Sequence, residues 1–400
     1  MSKKFLILGS VNYANRRILH ELQQMGHEAE ILDPSRLLPY VTDTKNDRIY
    51  VTTSNSEEPR RIYKKTVSCI IPRVGSGLSF YAKSVEHINL NIGVPSTATA
   101  NGLLTAQDKV RTIQVLSRKG IKTPRTFAAK NAQNLTWIVK QLGGFPVVAK
   151  LLFGSQGVGV FILTESLSAK TGLDAFTSQG HPLLIQQFIE TAKRNENKHD
   201  FRAVVVNGEV VAAIRRNSVG DDFRTNASLK EDCEGVELDA EMKQIAINSA
   251  AACGLACAGV DIAKDVNTGE IYVYEVNGNF NFKSTEKYSR KNVAQKIANY
   301  AVSISSDATG KVDEEMKAFA VKMREMSDFP QYQEREAVNE LFVSAMSTVK
   351  GIPFLHFPDD QTDTNDGFLD DPLEMCAFGK KPPQTKLERF NASINASIGR

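Results

Sequence analysis

The sequence is poor in cysteine and has no long apolar run. Its 400 residues include five cysteines, an odd number whose spacing fits neither a disulfide framework nor a zinc site. No apolar segment approaches the roughly 20 residues that cross a bilayer, and the first one is too short for a signal peptide. The formal net charge of +3 is too small to indicate nucleic acid. We therefore expect a cytoplasmic globular protein that binds neither membrane nor nucleic acid.

Several catalytic signatures are also missing from the sequence. No Gly-x-Gly-x-x-Gly pattern follows the first apolar segment, so a dinucleotide fingerprint is absent. The glycines at 154, 157 and 159 are not followed by Lys-Ser or Lys-Thr, which excludes a Walker phosphate loop. No convincing Ser/His/Asp or Cys/His set is present.

What the chain does contain begins with a β-α-β pattern. Residues 3–8 resemble a strand, an apolar stripe from Arg16 to Met25 predicts a helix, and Gly26 ends that helix before residues 29–32 start another strand. This order indicates a parallel sheet in a first α/β domain that ends near residue 105. A new helix is predicted from Thr105 to Lys119.

An arginine follows one buried strand of this first domain. Residues 67–75 form an apolar segment that includes Arg73. Ligands of open α/β sheets collect at the carboxyl ends of the strands, so Arg73 is placed to meet an anion. An exposed salt bridge is an equally good interpretation of its position.

Two later segments carry oxygen ligands. Residues 258–263 and 271–277 are predicted to form an antiparallel pair of strands around an Asn- and Gly-containing connection. Glu275 and Asn277 then share one face, and Asp261 can lie opposite them. Mg²⁺ takes such carboxylate and amide oxygens when it also holds nucleotide phosphates. The alternative is an ordinary sheet edge whose carboxylates face water.

A lysine and a glycine hairpin suggest phosphate binding. Lys150 stands in the apolar strand 145–152, and a lysine in such a strand needs an anionic partner. The glycines at 154, 157 and 159 that follow it would let backbone N–H groups approach a phosphate. A simple turn explains the glycines equally well.

Asn207-Gly208 predicts a tight hairpin between strands 200–206 and 209–216. Arg202, Arg216 and Arg224 fall near one end of the resulting antiparallel sheet. This density of guanidinium groups suits phosphates or carboxylates, whereas the alternative is a set of exposed ion pairs.

Taken together, these motifs resemble the ATP-grasp superfamily, and most closely the RimK-like carboxylate–amine (glutamate) ligases. The resemblance spans roughly residues 1–305. It is carried by Pro72-Arg73-Val74-Gly75, Asp108-Lys109-Val110-Arg111, Gly157-Val158-Gly159-Val160, Asp222-Phe223-Arg224-Thr225-Asn226 and Gly259-Val260-Asp261-Ile262.

The resemblance implies an α/β (α+β) chain with an ATP-grasp fold. Residues 1–105 would form an N-terminal α/β pre-ATP-grasp domain, and residues 106–305 an ATP-grasp domain whose two subdomains hold ATP between them. The resemblance ends near residue 305, and the sequence pattern of residues 306–400 predicts a C-terminal extension, helical at first and irregular towards its end. A homo-oligomer, either a dimer or a tetramer, is expected.

The resemblance also assigns residues to the site. Contacts with ATP are implied for Lys109, Lys150, Gly157 and Gly159 at the phosphates, for Gln187 and Phe188 at the adenine, and for Asp200 at the ribose. Arg224, Thr225 and Asn226 would meet the reacting phosphate, with Arg224 and Asn226 as catalytic residues. Asp261, Glu275 and Asn277 would hold up to two Mg²⁺ ions, for which Mn²⁺ is expected to substitute. Arg73, Arg202 and Arg216 would bind substrate carboxylates.

The implied reaction is ATP- and Mg²⁺-dependent amide or peptide bond formation. A substrate carboxylate attacks the γ-phosphate of ATP, and an amine displaces phosphate from the resulting acyl phosphate. The expected product joins an amino acid such as glutamate to a peptide or a small-molecule carboxylate.

The chain departs from its relatives at three places. Residues 227–232 replace a His-Arg-Gly-Gly stretch, residues 278–283 replace a stretch rich in Pro and Gly, and Gln187 replaces a hinge glutamate. The first two changes fall where acyl phosphate and amine should meet, so the incoming amine stays open. The alternative function is that of a synapsin-like ATP-binding protein without ligase turnover, because synapsins share the fold and also lack the His-Arg-Gly-Gly stretch.

Overall fold

A computed structural model describes residues 2–305, except 43–46, 53–58, 64–65, 76, 132, 153–159, 166–172, 174–181, 195 and 219–231. The predicted glycine hairpin, the Arg224-Thr225-Asn226 segment and the extension from residue 306 therefore lie outside the described residues. Those that are described all belong to one compact unit, residues 1–320. The domain boundaries near 105 and 305 stay predictions.

The strands, in chain order, are β1 (Lys4–Leu8), β2 (Glu28–Leu32), β3 (Leu37–Tyr40), β4 (Arg48–Val51), β5 (Arg60–Ile62), β6 (Cys69–Pro72), β7 (Thr126–Ala129), β8 (Val147–Leu151), β9 (Val160–Leu163), β10 (Leu183–Gln187), β11 (His199–Val206), β12 (Glu209–Asn217), β13 (Asp232–Gly235), β14 (Cys257–Lys264) and β15 (Ile271–Asn277). The α-helices are α1 (Tyr13–Gln24), α2 (Leu78–Glu86), α3 (Ala100–Gln107), α4 (Lys109–Arg118), α5 (Leu135–Leu142), α6 (Ala240–Ala252), α7 (Lys283–Ser289) and α8 (Val293–Ile304). A short 3₁₀ turn, Pro34–Arg36, precedes β3, and a π-helical turn, His87–Asn91, follows α2. None of the helices in this described part is long and apolar enough to span a membrane.

The first sheet is parallel, in the order β2-β1-β6, which confirms the predicted β-α-β unit. Helix α1 starts earlier than predicted because the side chain of Asn12 accepts a hydrogen bond from the backbone N–H of Asn15 at 3.0 Å. Ile18 and Leu22 form the buried stripe that holds the helix on the sheet. The carboxyl ends of β1 and β6 consequently lie side by side.

A small antiparallel sheet, β3-β4-β5, stands beside this first sheet. Its inner face carries Leu37, Ile49, Val51 and Ile62, which join a core shared with α2. Because side chains alternate along a strand, the intervening residues form a separate outer face.

The prediction of a single helix from Thr105 to Lys119 is wrong. The chain forms α3 and α4 instead, and they break at Asp108, whose backbone is extended with φ −89° and ψ 103°. The Asp108 carboxylate accepts hydrogen bonds from the N–H groups of Val110 at 3.0 Å and Arg111 at 3.2 Å. An aspartate favours this capping position over a helix interior. The break makes Lys109 the first residue of α4.

Three residues predicted to bind nucleotide, Lys150, Gln187 and Asp200, fall on two antiparallel sheets. One has the order β7-β10-β8-β9 and the other the order β13-β12-β11-β14-β15. Lys150 lies near the end of β8, between Val160 of β9 and Leu184 of β10. This arrangement confirms the predicted strands around the glycine hairpin.

The five-stranded sheet has one apolar face and one mixed face. On the apolar face, Ala203, Val260 and Val273 pack in the same core as Met242 and Ala246 of α6. Asn207 and Gly208 connect β11 to β12 with φ angles of +49° and +77°, which confirms the predicted hairpin turn. The other face carries the charged residues of the candidate site.

Candidate functional site

The strand register brings the predicted oxygen ligands together. Asp261 of β14 lies opposite Glu275 of β15, as the sequence predicted, and opposite Arg202 of β11 on its other side. The register shifts after Asp261, where Ile262 pairs with Val273. Tyr274 is thus an extra residue on β15, and β-bulges of this kind often re-aim side chains at functional sites.

Two arginines hold the Asp261 carboxylate. Arg202 donates from Nε and Nη2 to the two carboxylate oxygens, both at 2.7 Å, and Arg216 Nη2 lies 3.2 Å from Oδ2. Asp261 is 2% exposed. Burial alone would raise the pKa of its carboxyl, but the two guanidinium groups outweigh burial and bring the pKa to about 2.

A second buried pair continues the network. Arg216 donates from Nε to Asp200 Oδ1 at 2.7 Å, and its Nη2 donates to Oδ2. Burial would lower the pKa of Arg216, but Asp200 and Asp261 raise it above its ordinary value. Sequence reasoning missed this pairing, because it assigned Asp200 to a ribose and the arginines to substrate carboxylates. Those assignments stay predictions.

Glu275 and two lysines form the more accessible part of the site. Lys109 Nζ lies 3.1 Å from Glu275 Oε1, and both side chains are partly exposed. Lys150 Nζ lies 5.3 Å from the centroid of the Tyr274 ring. Burial lowers the pKa of Lys150, while Glu275 acts in the opposite direction. Among the described residues, no carboxylate forms an ion pair with Lys150, which leaves its ammonium available to an anion.

The third predicted metal ligand, Asn277, has an unsatisfied amide. Its Nδ2 is buried and has no hydrogen-bond partner. Amide oxygen and nitrogen are assigned from their partners, so a turned amide would present Oδ1 there instead. Within the described part of the chain, no three His, Cys, Asp or Glu side chains form a metal-ligand group. Two carboxylates and one amide nevertheless match the oxygen chemistry that Mg²⁺ prefers when phosphates complete its coordination.

Gln187 is the last residue of strand β10, and Phe188 follows it. The Gln187 side chain accepts a hydrogen bond from Arg125 Nε at 2.9 Å, and its backbone N–H donates to the Arg125 carbonyl at 2.9 Å. The Lys198 ammonium lies 4.8 Å from the Phe188 ring centroid. Their predicted contact with adenine is not tested by these interactions and stays a prediction.

Arg73 lies at the carboxyl end of β6, as expected, but it is buried and not at the surface. It is 6% exposed and donates to Asn15 Oδ1 at 3.3 Å and to the carbonyl of Phe280. Its guanidinium carbon lies 5.1 Å from the Phe280 ring centroid and 5.8 Å from that of Phe282. Burial lowers the pKa of Arg73 to about 10. It has no carboxylate partner among the described residues.

Solved structures with the same architecture identify the fold of the chain. The structure of ATP-grasp ligase PsnB complexed with a phosphomimetic variant of minimal precursor, Mg and ADP aligns with a TM-score of 0.57, at 16% identity, over 76% of this chain and 98% of that chain. Macrocyclase MdnC bound with precursor peptide MdnA from Microcystis aeruginosa MRC aligns with a TM-score of 0.56, at 16% identity, over 75% of this chain and 99% of that chain. These likenesses show an ATP-grasp fold.

Sequence comparison then gives the family. The profile of the RimK-like ATP-grasp domain matches residues 106–301. A "Probable alpha-L-glutamate ligase" of Aeromonas salmonicida (strain A449) is 32% identical over 289 residues, which make up 72% of this chain and 92% of the relative. A protein of the same name from Syntrophotalea carbinolica is 33% identical over 292 residues, 72% of this chain and 91% of the relative. The chain belongs to the RimK-like ATP-grasp family, so the expected class of carbon–nitrogen ligase is confirmed.

Proposed function

We propose that this protein is an ATP- and Mg²⁺-dependent ligase that joins an amino acid such as glutamate to the carboxylate of a peptide or small molecule through an acyl phosphate. The observation that carries the proposal is the ion network on the five-stranded sheet, where Asp261 and Glu275 face each other beside Lys109 and Lys150. Phosphoryl transfer needs such positioning and charge neutralisation.

Each part of this network has a role in the proposal. Lys109 and Lys150 bind ATP phosphates. The Lys109 ammonium lies 3.1 Å from the carboxylate of Glu275. Lys150 lies next to Tyr274, which is on the same strand as Glu275, and has no ion-pair partner of its own in the described chain. Asp261, Glu275 and Asn277 hold Mg²⁺, which when bound would neutralise charge on the transferring phosphoryl group. Arg202 and Arg216 keep Asp261 ionised and oriented.

The roles of several further residues rest on the resemblance. Arg224, Thr225 and Asn226 at the reacting phosphate, and Gly157 and Gly159 over the phosphates, lie outside the described residues. Binding of a substrate carboxylate is proposed for Arg73, whose buried charge has no carboxylate partner in the described chain.

The acceptor is proposed from the named relatives and neighbours. Curated relatives carry the name alpha-L-glutamate ligase, and fold neighbours were solved with precursor peptides. These names support glutamate as the incoming amine and a peptide carboxylate as the acceptor. We also propose that the ligase acts in the cytoplasm as a homo-oligomer and that Mn²⁺ substitutes for Mg²⁺.

The test incubates the full chain with ATP, Mg²⁺, an amino-acid mixture and candidate carboxylates, and follows ADP and condensed products by mass spectrometry. A product equal to two substrates minus water, formed together with ADP, supports the ligase and names its substrates. Tight ATP binding without ADP across a broad panel favours the binding protein without turnover.

A matched pair of variants tests the metal assignment. Glu275→Gln removes the charge beside Lys109 and should abolish nearly all ADP formation. Glu270→Gln removes an exposed carboxylate that pairs with Lys122 just before β15, and should leave ADP formation unchanged. If Glu275→Gln formed ADP as fast as the wild type, the metal assignment would be refuted.

A further inference from the structure

The outer face of the small sheet β3-β4-β5 carries a regular set of tyrosines and arginines. In the first row Leu38 lies opposite Tyr50, and Tyr50 lies opposite Arg61. In the second row Tyr40 lies opposite Arg48. Tyr63 directly follows β5 and contacts Arg61. We call these residues the tyrosine–arginine face: Leu38, Tyr40, Arg48, Tyr50, Arg61 and Tyr63.

The aromatic part of the face is open to solvent. Tyr40 is 52% exposed, Tyr63 is 42% exposed and Leu38 is 45% exposed. Most apolar side chains of this sheet point inward to the core with α2, so the outer residues are not needed to fill that core. Tyrosine and arginine are the residue types enriched in the centres of protein interfaces. Their concentration on one partly exposed face indicates a binding surface.

Among the described residues, the guanidinium groups of Arg48 and Arg61 contact tyrosines and have no carboxylate partner. The Arg61 guanidinium lies 5.2 Å from the Tyr63 ring centroid. Arg48 Nη1 donates to the Tyr50 hydroxyl at 3.4 Å, whereas Arg48 Nε is buried without a hydrogen-bond partner. The ring contact of Arg61 and the hydrogen bond of Arg48 pre-orient the two side chains, so less conformational entropy is lost when they bind.

Two described carboxylates near the face, those of Asp47 and Glu30, are occupied elsewhere. Asp47 accepts hydrogen bonds from the backbone N–H of Thr42 and the side chain of Asn91. Glu30 pairs in bidentate fashion with Arg60, at 2.9 and 3.1 Å. Within the described residues, no carboxylate is paired with Arg48 or Arg61, so the face is cationic as well as aromatic.

We propose that the tyrosine–arginine face docks an extended acidic segment of a polypeptide acceptor. Carboxylates suit guanidinium forks, and the apolar bodies of the tyrosines can cover the chain between successive acidic residues. The peptide class rests on the proposed ligase function, for which a peptide carboxylate is the proposed acceptor. The positive charge of the face would favour an acidic peptide whether or not the protein turns over as a ligase.

The test measures fluorescence anisotropy of a labelled peptide of about a dozen residues that alternates glutamate with tyrosine or leucine, with the full chain and without ATP. Wild-type protein should bind it, with affinity falling as salt rises. The variant Arg48→Gln/Arg61→Gln should bind about tenfold more weakly, and Tyr40→Ala/Tyr63→Ala should also weaken binding. The control Lys119→Gln/Arg194→Gln removes two exposed cations elsewhere and should bind like wild type.

Three outcomes would overturn the proposal. The Arg48→Gln/Arg61→Gln variant could bind like wild type, a lysine-for-glutamate peptide could bind equally well, or single-stranded RNA could bind more tightly than the acidic peptide. Circular dichroism and nucleotide binding of each variant show whether it is folded. If acidic peptide binds at this face while no ligase product forms, the proposed function fails and the docking surface stands.

Discussion

Asp261→Asn should make the ligand-free protein much less stable at neutral pH. In the wild type the carboxylate is buried and accepts charge-assisted hydrogen bonds from Arg202 and Arg216. Asparagine keeps the shape but loses the charge and turns an N–H₂ group towards the guanidinium groups. Breaking one partner out of a buried ion pair costs about 3–5 kcal/mol, since it leaves uncompensated charge in the interior.

The pH dependence separates the charge of Asp261 from general packing. Its pKa falls from an ordinary 3.8 to about 2 in the folded protein, which corresponds to about 2 kcal/mol of stability from the ionised form. Because the folded-state pKa is lowered, this stability is present above about pH 4 and is lost as the pH falls towards 2. The difference between wild type and Asp261→Asn should therefore narrow below about pH 4.

Urea unfolding followed by circular dichroism, without nucleotide and between about pH 7 and pH 3, measures both effects. Glu241→Gln is the matched control, because Glu241 is an exposed carboxylate in the first turn of α6. This control should change the unfolding midpoint little at any pH. Equal midpoints for wild type and Asp261→Asn at neutral pH would refute the reasoning.

Two further substitutions probe the site and its support. Lys109→Met should weaken binding of a non-hydrolysable ATP analogue by about tenfold, yet strengthen Mn²⁺ binding without nucleotide, because Glu275 loses its 3.1 Å partner. Calorimetry and Mn²⁺ paramagnetic resonance measure these affinities, and an unchanged Mn²⁺ affinity would contradict competition between lysine and metal. Gly259→Ala should destabilise the fold by about 1–3 kcal/mol, since its Cβ would lie 2.8 Å from the Phe280 Cβ. If Gly259→Ala had the same thermal unfolding temperature as the wild type, the expected overpacking would be contradicted.

Local sequence signals were sufficient to predict much of the fold. The β-α-β unit follows from apolar periodicity and a glycine stop, and the Asn207-Gly208 hairpin follows from turn chemistry alone. A local signal also marked the break within the helix that was wrongly predicted as a single one from Thr105 to Lys119. Asp108 stands directly before a second apolar stripe, where an aspartate favours a helix cap.

The site was predicted only where its residues belong to strands adjacent in sequence. Asp261 and Glu275 lie on consecutive strands, so periodicity was sufficient to place them opposite each other. The pairing of Arg202 with Asp261 was not predictable, because it needs β11 to lie between β12 and β14 in the sheet. A register shift at Val204 also moves the pairing of β11 with β12, and periodicity does not reveal such shifts.

The stretch after β15 explains one departure of this chain from its relatives by packing. Phe280 and Phe282 are buried, and both lie under the guanidinium of Arg73 from the first sheet. Asn279 and Asn281, which alternate with them, stay exposed. Through Phe280 and Phe282, the segment that follows β15 therefore packs against the carboxyl end of β6. Packing therefore accounts for phenylalanines in place of small residues. Because Asp261, Glu275 and Asn277 are unaltered, this replacement does not count against ligase chemistry.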